Sequence, residues 1–164
     1  MTQARSAGLR HTSTEGYRVA MLGRSYDNQE CSAARALELV GERWSLLILR
    51  DAMFRSYTRF SQFEKSLGIA PNILAKRLED FVAAGIMEHR QSLGAGEQAD
   101  YLLTQKGLEL KPVIMGLTAW GDKWVRPGPV VFRNASDGHP VELQLRLIGD
   151  DTQVAVADVV AARR

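Results

Sequence analysis

The sequence predicts a mainly helical α+β fold, and three patterns support this prediction. Residues 60–85 contain two runs of helical periodicity separated by a glycine and a proline. Residues 86–104 then have the composition of two short strands, and residues 105–125 repeat apolar side chains at intervals of three and four. A helix pair, a hairpin and a longer helix therefore form the centre of the predicted domain.

Residues 60–85 have the pattern of a helix-turn-helix. Gly68 permits the backbone to reverse, and Pro71 suits the first position of the second helix, where no amide donor is needed. The apolar side of that helix consists of Leu74, Leu78, Phe81, Val82 and Gly85. The outward side carries Asn72, Lys76, Glu79 and Ala83, with Arg77 at its edge. We expect Asn72 and Lys76 to contact bases in a major groove and Arg77 to contact a phosphate, because a recognition helix usually presents its first two turns to DNA.

The two predicted strands, residues 86–92 and 99–104, form a hairpin around a loop at residues 93–98 that contains two glycines. A hairpin directly after a recognition helix is the wing of a winged helix-turn-helix. Its first strand carries His89, Arg90 and Gln91, which we expect to lie along the backbone of double-stranded DNA or in its minor groove. Periodicity alone also permits an ordinary packed helix pair that has no role in DNA binding.

Four segments precede the helix pair. Residues 1–28 contain few clustered apolar side chains, so we expect a flexible N-terminal extension. Residues 31–40 predict a bracing helix, and residues 43–54 predict a buried central helix because they are apolar on nearly every side. Residues 56–60 form a β-prone connector, in which Arg59 is placed to contact a phosphate.

Thr104 is expected to cap a long helix over residues 105–125, and Pro112 is expected to kink it. The apolar stripe of this helix consists of Leu110, Val113, Ile114, Leu117, Trp120 and Trp124. Because the stripe is longer than one small domain can cover, we expect it to join two subunits of a homodimer. The alternative is that it packs against the first helix of the same chain.

Residues 127–164 change from helical periodicity to alternation after a Pro-Gly-Pro break. Three short strands are predicted, around residues 130–132, 141–147 and 154–160, with turn residues at 137–138 and 149–151. The predicted organisation is therefore an extension at 1–28, a winged helix-turn-helix domain with a dimerisation helix at 29–126, and a small antiparallel β appendage at 127–164.

The charge is nearly balanced over the whole chain of 164 residues, with a formal net charge of +2. Between residues 43 and 91, however, eight positive side chains outnumber five negative ones, and from residue 134 onward five negative side chains outnumber three positive ones. The basic excess therefore lies on the predicted recognition region. Total charge alone does not indicate a nucleic-acid partner.

Several other classes of protein find no support in the sequence. There is no glycine-rich phosphate loop, no nucleophile motif and no pair of carboxylates in an apolar frame, so we expect no enzymatic activity. The single cysteine and three scattered histidines have no zinc spacing, and we expect neither a metal nor another cofactor. No signal peptide or apolar span is evident, which predicts a cytoplasmic protein without a membrane partner.

The sequence resembles the HxlR-type winged helix-turn-helix transcriptional regulators, which are relatives of the MarR group. The resemblance covers roughly residues 31–124 and depends on LELVGERWSLLILRDAMF at 37–54, RFSQFEKSLGIAPNILAKRLEDFVAAGIMEHR at 59–90, YLLTQKGLEL at 101–110 and LTAWG at 117–121. It implies a homodimer in which each subunit offers a recognition helix and a wing, and it implies regulation of bacterial transcription. Arg55 and Ser56 stand where the family usually has glycine, and Asn72 stands where arginine is common. The first departure affects the shape of a loop, and the second affects which operator is recognised.

Cys31 opens the first helix, and the resemblance gives it a second interpretation. In some members of the family a cysteine at the matching position senses oxidants or electrophiles, and the N-terminus of a helix favours thiolate. The alternative is a small buried side chain, and Glu30 opposes thiolate formation. Cys31 is therefore a candidate redox sensor.

Two further alternatives remain open. The aromatic residues Trp44, Tyr101, Trp120 and Trp124 are expected to be core, although they are also candidates for lining a pocket for a small-molecule effector. The winged helix itself is expected to bind operator DNA as a transcriptional regulator. A protein-interaction module without direct DNA binding is the competing hypothesis, and it leaves Asn72, Lys76, Arg77 and Arg90 without a common role.

Overall fold

Six α-helices and a two-stranded sheet form the part of the chain that the structure describes, a computed structural model covering residues 26, 29–91 and 99–162. The elements in order are α1 (Ser32–Val40), α2 (Ser45–Phe54), α3 (Phe60–Leu67), α4 (Pro71–Ala83), β1 (Met87–Gln91), β2 (Ala99–Leu103), α5 (Gln105–Leu108) and α6 (Lys111–Trp124), followed by a 3₁₀ turn at Val156–Asp158. The predicted extension at residues 1–28 lies, apart from Tyr26, outside the described residues. No described helix is both long and apolar enough to cross a membrane.

The predicted helix-turn-helix is confirmed as α3 and α4. Gly68 ends α3 with a φ of 60°, a left-handed conformation that costs other L-residues about 1 kcal/mol or more, and Pro71 opens α4. Ile69 in the turn is buried. The apolar side of α4 enters the core through side chains that are almost completely inaccessible, namely Leu74, Leu78 and Phe81, and these lie with Phe63 of α3 and with Ile48 and Leu49 of α2. Burial of the apolar side of α4 therefore determines which side of the helix faces outward.

The predicted hairpin is confirmed, with β1 and β2 antiparallel from the pair Met87↔Leu103 to the pair Gln91↔Ala99. The connector before α3 adds one more antiparallel bridge, because Arg59 pairs with Asp100 and the Tyr101 amide donates to the Thr58 carbonyl at 2.7 Å. The connector was therefore correctly predicted to be β-prone. The tip of the hairpin, residues 92–98, lies outside the described residues.

The prediction of one long helix over residues 105–125 is wrong, since α5 ends at Leu108 and α6 starts at Lys111. Thr104 does cap α5, with its Oγ1 accepting from the Gly107 amide at 3.2 Å. Pro112 lies in the first turn of α6, where its missing N–H leaves no hydrogen bond unmade. The proline therefore starts a helix and does not kink one.

The apolar stripe of α6 is largely uncovered. Only Ile114 of this helix is buried, whereas Leu117, Trp120 and Trp124 are 54%, 58% and 65% exposed. Leu37 of α1 is also exposed. The alternative in which the stripe packs against the first helix of the same chain is therefore contradicted.

The four aromatic residues proposed as core or pocket do not act together. Trp44 and Tyr101 are partly buried against the core, as the core interpretation requires. Trp120 and Trp124 are exposed, so for them that interpretation is wrong. The clefts that the described residues form between α6 and the C-terminal segment contain none of the four.

The C-terminal segment runs antiparallel, as the alternation predicted, but as isolated bridges instead of regular strands. Arg133 pairs with Pro140 around one turn, and Arg146 pairs with Gln153 around another. The third predicted strand is confirmed only at its start, where the Val154 amide donates to the Leu145 carbonyl at 2.8 Å, and a 3₁₀ turn follows at Val156–Asp158. Phe132 anchors this segment to α2, because its ring centroid lies 4.9 Å from that of Phe54.

The junction between α4, β1 and α5 is closely packed around Gly107. Thr104 Oγ1 donates to the carbonyl oxygen of Gly85 at 2.7 Å, and Lys106 Nζ donates to that of Ala84 at 2.7 Å. A Cβ atom on Gly107 would lie 2.3 Å from the carbonyl oxygen of Ile86 and 2.9 Å from Leu103 Cδ2. Only glycine permits α5 to approach the end of α4 this closely.

Gly107→Ala is expected to lower the free energy of unfolding by about 1–3 kcal/mol, because the added methyl group collides with backbone. Urea unfolding followed by circular dichroism measures the change. Gly121→Ala in α6 is the matched control, since its Cβ would meet no atom within 4 Å and helix propensity favours alanine by up to about 1 kcal/mol. Equal stability of the two variants would contradict the close approach.

Candidate nucleic-acid interface

The outward side of α4 presents its polar residues where the sequence predicted them. Asn72 follows Pro71 in the first turn and is exposed, and Lys76 lies one turn later with half of its side chain exposed. Glu79 and Ala83 continue the same side. The first two turns therefore offer an amide and an ammonium group, the types of side chain that hydrogen-bond to base edges.

The cations of α4 already have acidic partners within the helix. Lys76 Nζ lies 2.5 Å from Asp80 Oδ1, and Arg77 Nη1 lies 3.5 Å from Asp80 Oδ2. The side chain of Arg77 is only 14% exposed, so this residue is less accessible than an edge position suggests. A phosphate at Arg77 has to compete with Asp80.

Arg59 lies at the start of α3 and contacts the hairpin. Its Nε is 3.8 Å from Asp100 Oδ1, and its side chain is 55% exposed. Gln62 fixes this end of the helix, because its Oε1 accepts from the amides of Thr58 at 3.0 Å and Arg59 at 2.9 Å. Arg59 is thus held beside the hairpin while remaining accessible to a phosphate.

The three wing residues His89, Arg90 and Gln91 are all exposed, but they do not share one face of β1. Side chains of a strand alternate, so Arg90 lies on the same face as Glu88, and its Nη2 is 2.6 Å from Glu88 Oε1. His89 lies on the other face, with its ring centroid 5.1 Å from that of Tyr101. Desolvation of the partly buried Tyr101 hydroxyl, assisted by the charge of Glu79, raises the pKa of that group.

The sheet register brings together two of the predicted phosphate ligands. Asp100 of β2 pairs with Arg90 on one side and with Arg59 on the other. Directly opposed residues point to the same face of a sheet, so Arg59, Arg90 and Asp100 share one face. The guanidinium group of Arg59 pairs with Asp100, whereas that of Arg90 pairs with Glu88. The sequence did not suggest Asp100, because its two partners lie 10 and 41 positions away along the chain.

Asp51 of α2 is a second residue that the sequence did not suggest. Its side chain is completely buried, and its Oδ2 accepts from Ser66 Oγ of α3 at 2.6 Å. Arg50 Nη2 and Arg55 Nε lie 2.8 and 3.5 Å from Asp51 Oδ1, and Arg55 also donates to Ser66 Oγ at 2.7 Å. The only signal in the sequence was an aspartate within an apolar helix. These four residues, Arg50, Asp51, Arg55 and Ser66, are called the Asp51 network below.

Ser56 accounts for the unusual loop between α2 and α3. Its φ is 54°, and it is the only non-glycine residue in the described part of the chain with a positive φ. Glycine adopts this conformation without steric cost, so the sequence carries strain here that a glycine would avoid.

Cys31 lies immediately before α1 and is exposed, so the expectation of a small buried side chain is wrong. The sulfur makes no capping hydrogen bond of normal geometry, but the nearby amides of Ala34 and Ala33 lower the pKa of the thiol. The described residues contain no group of histidine, cysteine and carboxylate side chains able to hold a metal ion.

A glycine-linked helix pair, a second helix with an exposed polar side and a hairpin that follows it together define a winged helix-turn-helix DNA-binding protein. The sequence comparisons identify the family. The HxlR-like helix-turn-helix model matches residues 39–129, and the chain belongs to this family of transcriptional regulators.

Several relatives share this domain. An uncharacterized HTH-type transcriptional regulator of Mycobacterium tuberculosis is 39% identical over 119 residues, which cover 73% of this chain and 70% of that protein. The HTH-type transcriptional regulator YodB of Bacillus subtilis is 31% identical over 97 residues, covering 58% of this chain and 86% of YodB. Its reduced form superposes with a TM-score of 0.50 at 26% identity, over 61% of this chain and 99% of YodB.

The crystal structure of PA1607, which is proposed to be a transcription factor, is similar over more of the chain. It has a TM-score of 0.75 and 37% identity, and the match covers 86% of this chain and all of PA1607. That share exceeds what residues 1–126 alone can supply, so the match includes part of the C-terminal segment. The match to YodB covers 61% of this chain, a share that residues 1–126 are long enough to supply by themselves.

Ser66→Ala is expected to lower the free energy of unfolding by about 1–3 kcal/mol, because a buried carboxylate loses a charge-assisted hydrogen bond. Ser61→Ala on the exposed side of the same helix is the control and should stay within about 0.5 kcal/mol of the original protein. Chemical denaturation of both variants measures the difference. If Ser66→Ala is as stable as its control, the Asp51 network does not hold α3.

Proposed function

We propose that the protein binds a pseudo-palindromic operator as a homodimer, with one α4 of each subunit in successive major grooves. The exposed polar side of α4 carries this proposal, because Asn72 and Lys76 occupy its first two turns above a fully buried apolar side. Arg59 and Arg90 both stand opposite Asp100 of β2 and serve as phosphate ligands. The protein acts in the bacterial cytoplasm, where such operators are found.

The proposed dimer contact is formed mainly by α6, with a contribution from α1. Large apolar side chains remain exposed along α6, including Leu117, Trp120 and Trp124, and Leu37 of α1 is 46% exposed. A contiguous apolar surface of this kind usually marks an association site. A second subunit would cover it and would set the distance between the two recognition helices.

A winged helix that binds another protein is the competing function. It is favoured by the pairing of the cations, since Lys76, Arg77, Arg59 and Arg90 each lie within 4 Å of an acidic side chain. Ion pairs of exposed side chains are weak, however, typically about 0–1 kcal/mol, and a phosphate can replace the acidic partner. The two functions differ in their dependence on salt.

Lys76→Ala is expected to relax the base preference at one operator position and to cost about 1–3 kcal/mol of binding free energy for each lost base contact. Arg90→Ala should weaken binding to all sequences alike and reduce the slope of log K against log salt by about one unit. Fluorescence anisotropy with operator and scrambled duplexes at several salt concentrations measures both effects.

Arg146→Ala is the control for these measurements, because Arg146 lies on the C-terminal segment and pairs with Asp151. It should leave both affinity and salt slope unchanged. Binding that does not depend on salt, or a Lys76 and Arg90 double variant that binds like the original protein, would favour the protein-interaction module.

Trp120→Glu is expected to convert the dimer into a monomer, because a carboxylate on the apolar stripe would be buried without a partner. Ile148→Glu is the control, since Ile148 is fully exposed in a turn of the C-terminal segment. Light scattering at micromolar concentration distinguishes the two masses. A monomeric original protein would refute the dimer and, with it, paired half-sites on DNA.

Cys31 is proposed as a redox-responsive residue, on the basis of its exposure and the lowered pKa of its thiol. Because the amides of Ala34 and Ala33 favour thiolate, alkylation should reach its maximal rate at a lower pH than for an ordinary cysteine. The sequence contains no second cysteine, so a disulfide has to join two subunits or a small thiol.

Diamide or a quinone is expected to change the affinity of the protein for its operator, and a Cys31→Ser variant should not respond. Mass spectrometry confirms that Cys31 has reacted before binding is measured. Ser32→Ala, next in the chain, is the control and should respond like the original protein. Unchanged affinity after confirmed oxidation would assign Cys31 no role in sensing.

A further inference from the structure

A cleft of roughly 390 Å³ lies between the end of α2, the middle of α6 and residues 128–132 of the C-terminal segment. Its volume falls within the range of small-molecule sites, which is about 300–1,000 Å³. Most of its wall is apolar and comes from Phe54, Pro129, Val130 and Phe132.

The apolar wall offers aromatic surface. Phe54 and Phe132 meet at a tilt of 43°, with their ring centroids 4.9 Å apart, so the two rings form a corner instead of a closed stack. Phe54 is 38% exposed even though Phe132 covers part of it. A planar aromatic ring placed in this corner would make the offset or edge contacts that aromatic pairs prefer.

The polar wall is positively charged where it is accessible. Arg50 and Arg55 line the cleft with side chains 37% and 51% exposed, whereas the Asp51 carboxylate between them is completely buried. Arg50, at 2.8 Å, already balances Asp51, while Arg55 Nε lies farther away at 3.5 Å. Asp122 is the acid that lines the cleft, and its Oδ1 accepts from the Gly128 amide at 2.7 Å.

Lys111 adds a third cation, with its Nζ 5.6 Å from the centre of the Phe54 ring. Two arginines therefore line the cleft against one carboxylate, that of Asp122, and Lys111 lies against the Phe54 ring that forms part of the wall. Arginine presents a planar fork of donors that matches a carboxylate. We propose that the cleft binds a small planar aromatic carboxylate, with its ring against Phe54 and Phe132 and its carboxylate on Arg55.

The position of Arg55 gives such a ligand a route to the helix-turn-helix. Arg55 donates to Ser66 Oγ of α3 at 2.7 Å, and Ser66 in turn donates to Asp51. A carboxylate that draws Arg55 toward the cleft removes one of the contacts that hold α3 against α2. This second step, regulation of DNA binding, depends on the proposed function, whereas ligand binding itself does not.

Calorimetric titration of the full-length protein with 2-naphthoate tests the site without DNA. The neutral analogue 2-naphthalenemethanol keeps the ring and removes the charge. We expect naphthoate to bind about tenfold or more tightly than the alcohol, because a charge-assisted contact to arginine is lost in the neutral compound. Equal affinities, or no binding of naphthoate up to millimolar concentration, would overturn the proposal.

Three variants locate the site. Arg55→Gln should weaken naphthoate binding about tenfold or more and leave the alcohol unaffected, while Arg50 and Ser66 continue to balance Asp51. Phe132→Ala should weaken both compounds because it removes one aromatic wall. Arg133→Gln is the control, since Arg133 does not line the cleft and should bind both compounds like the original protein. Loss of binding in this control, or normal binding in Arg55→Gln and Phe132→Ala, would overturn the assignment.

The regulatory step has a separate measurement. Operator affinity is compared with and without saturating naphthoate, in the original protein and in Arg55→Gln. We expect a shift only in the original protein. Naphthoate binding without a shift would refute the regulatory step alone, and failure to bind any operator without ligand would refute the proposed function while leaving the ligand site intact.

Discussion

The position of the recognition helix depends on one buried charge, the carboxylate of Asp51. Burying an unpaired carboxylate costs several kcal/mol, so it is tolerated only where partners surround it. Here Arg50, Arg55 and Ser66 supply them, and Ser66 belongs to α3. The requirement to satisfy this charge fixes the distance between α2 and α3. Because the turn through Gly68 is short, the orientation of α3 determines the orientation of α4.

Local patterns in the sequence were sufficient for the helix-turn-helix, the hairpin and the sides of α4, because each depends on residues within a few positions of one another. Local patterns did not predict contacts between residues that are distant in the sequence. They also did not predict a break between two helices whose apolar spacing is continuous. The apolar spacing continues across Glu109 and Leu110, so it conceals the break between α5 and α6. No local pattern reveals the close approach of Gly107 to the Ile86 carbonyl either. Asp51 and Ser66 are 15 positions apart, which no local pattern reveals.

The candidate DNA contacts were predicted by residue type and position, but their partners were not. Arg59 and Arg90 lie far apart in the sequence, and both stand opposite Asp100 only because the connector pairs with the sheet. To bind a phosphate as proposed, each cation would have to exchange an internal acidic partner for it, so the gain on binding would be smaller than for an unpaired cation. Because the net charge is nearly balanced, the long-range electrostatic attraction between the protein and DNA is small as well. Binding affinity in this protein should therefore depend strongly on the base contacts of α4.

The C-terminal segment separates this chain from relatives that contain the winged domain alone. Its contact between Phe132 and Phe54 places it directly beside the Asp51 network, which is the part of the structure that holds α3. A cleft bounded by this segment can exist only in proteins that have it, such as those similar to PA1607 over most of the chain. Within this family, ligand response through Arg55 should therefore follow the presence of the segment and not the similarity of the recognition helix.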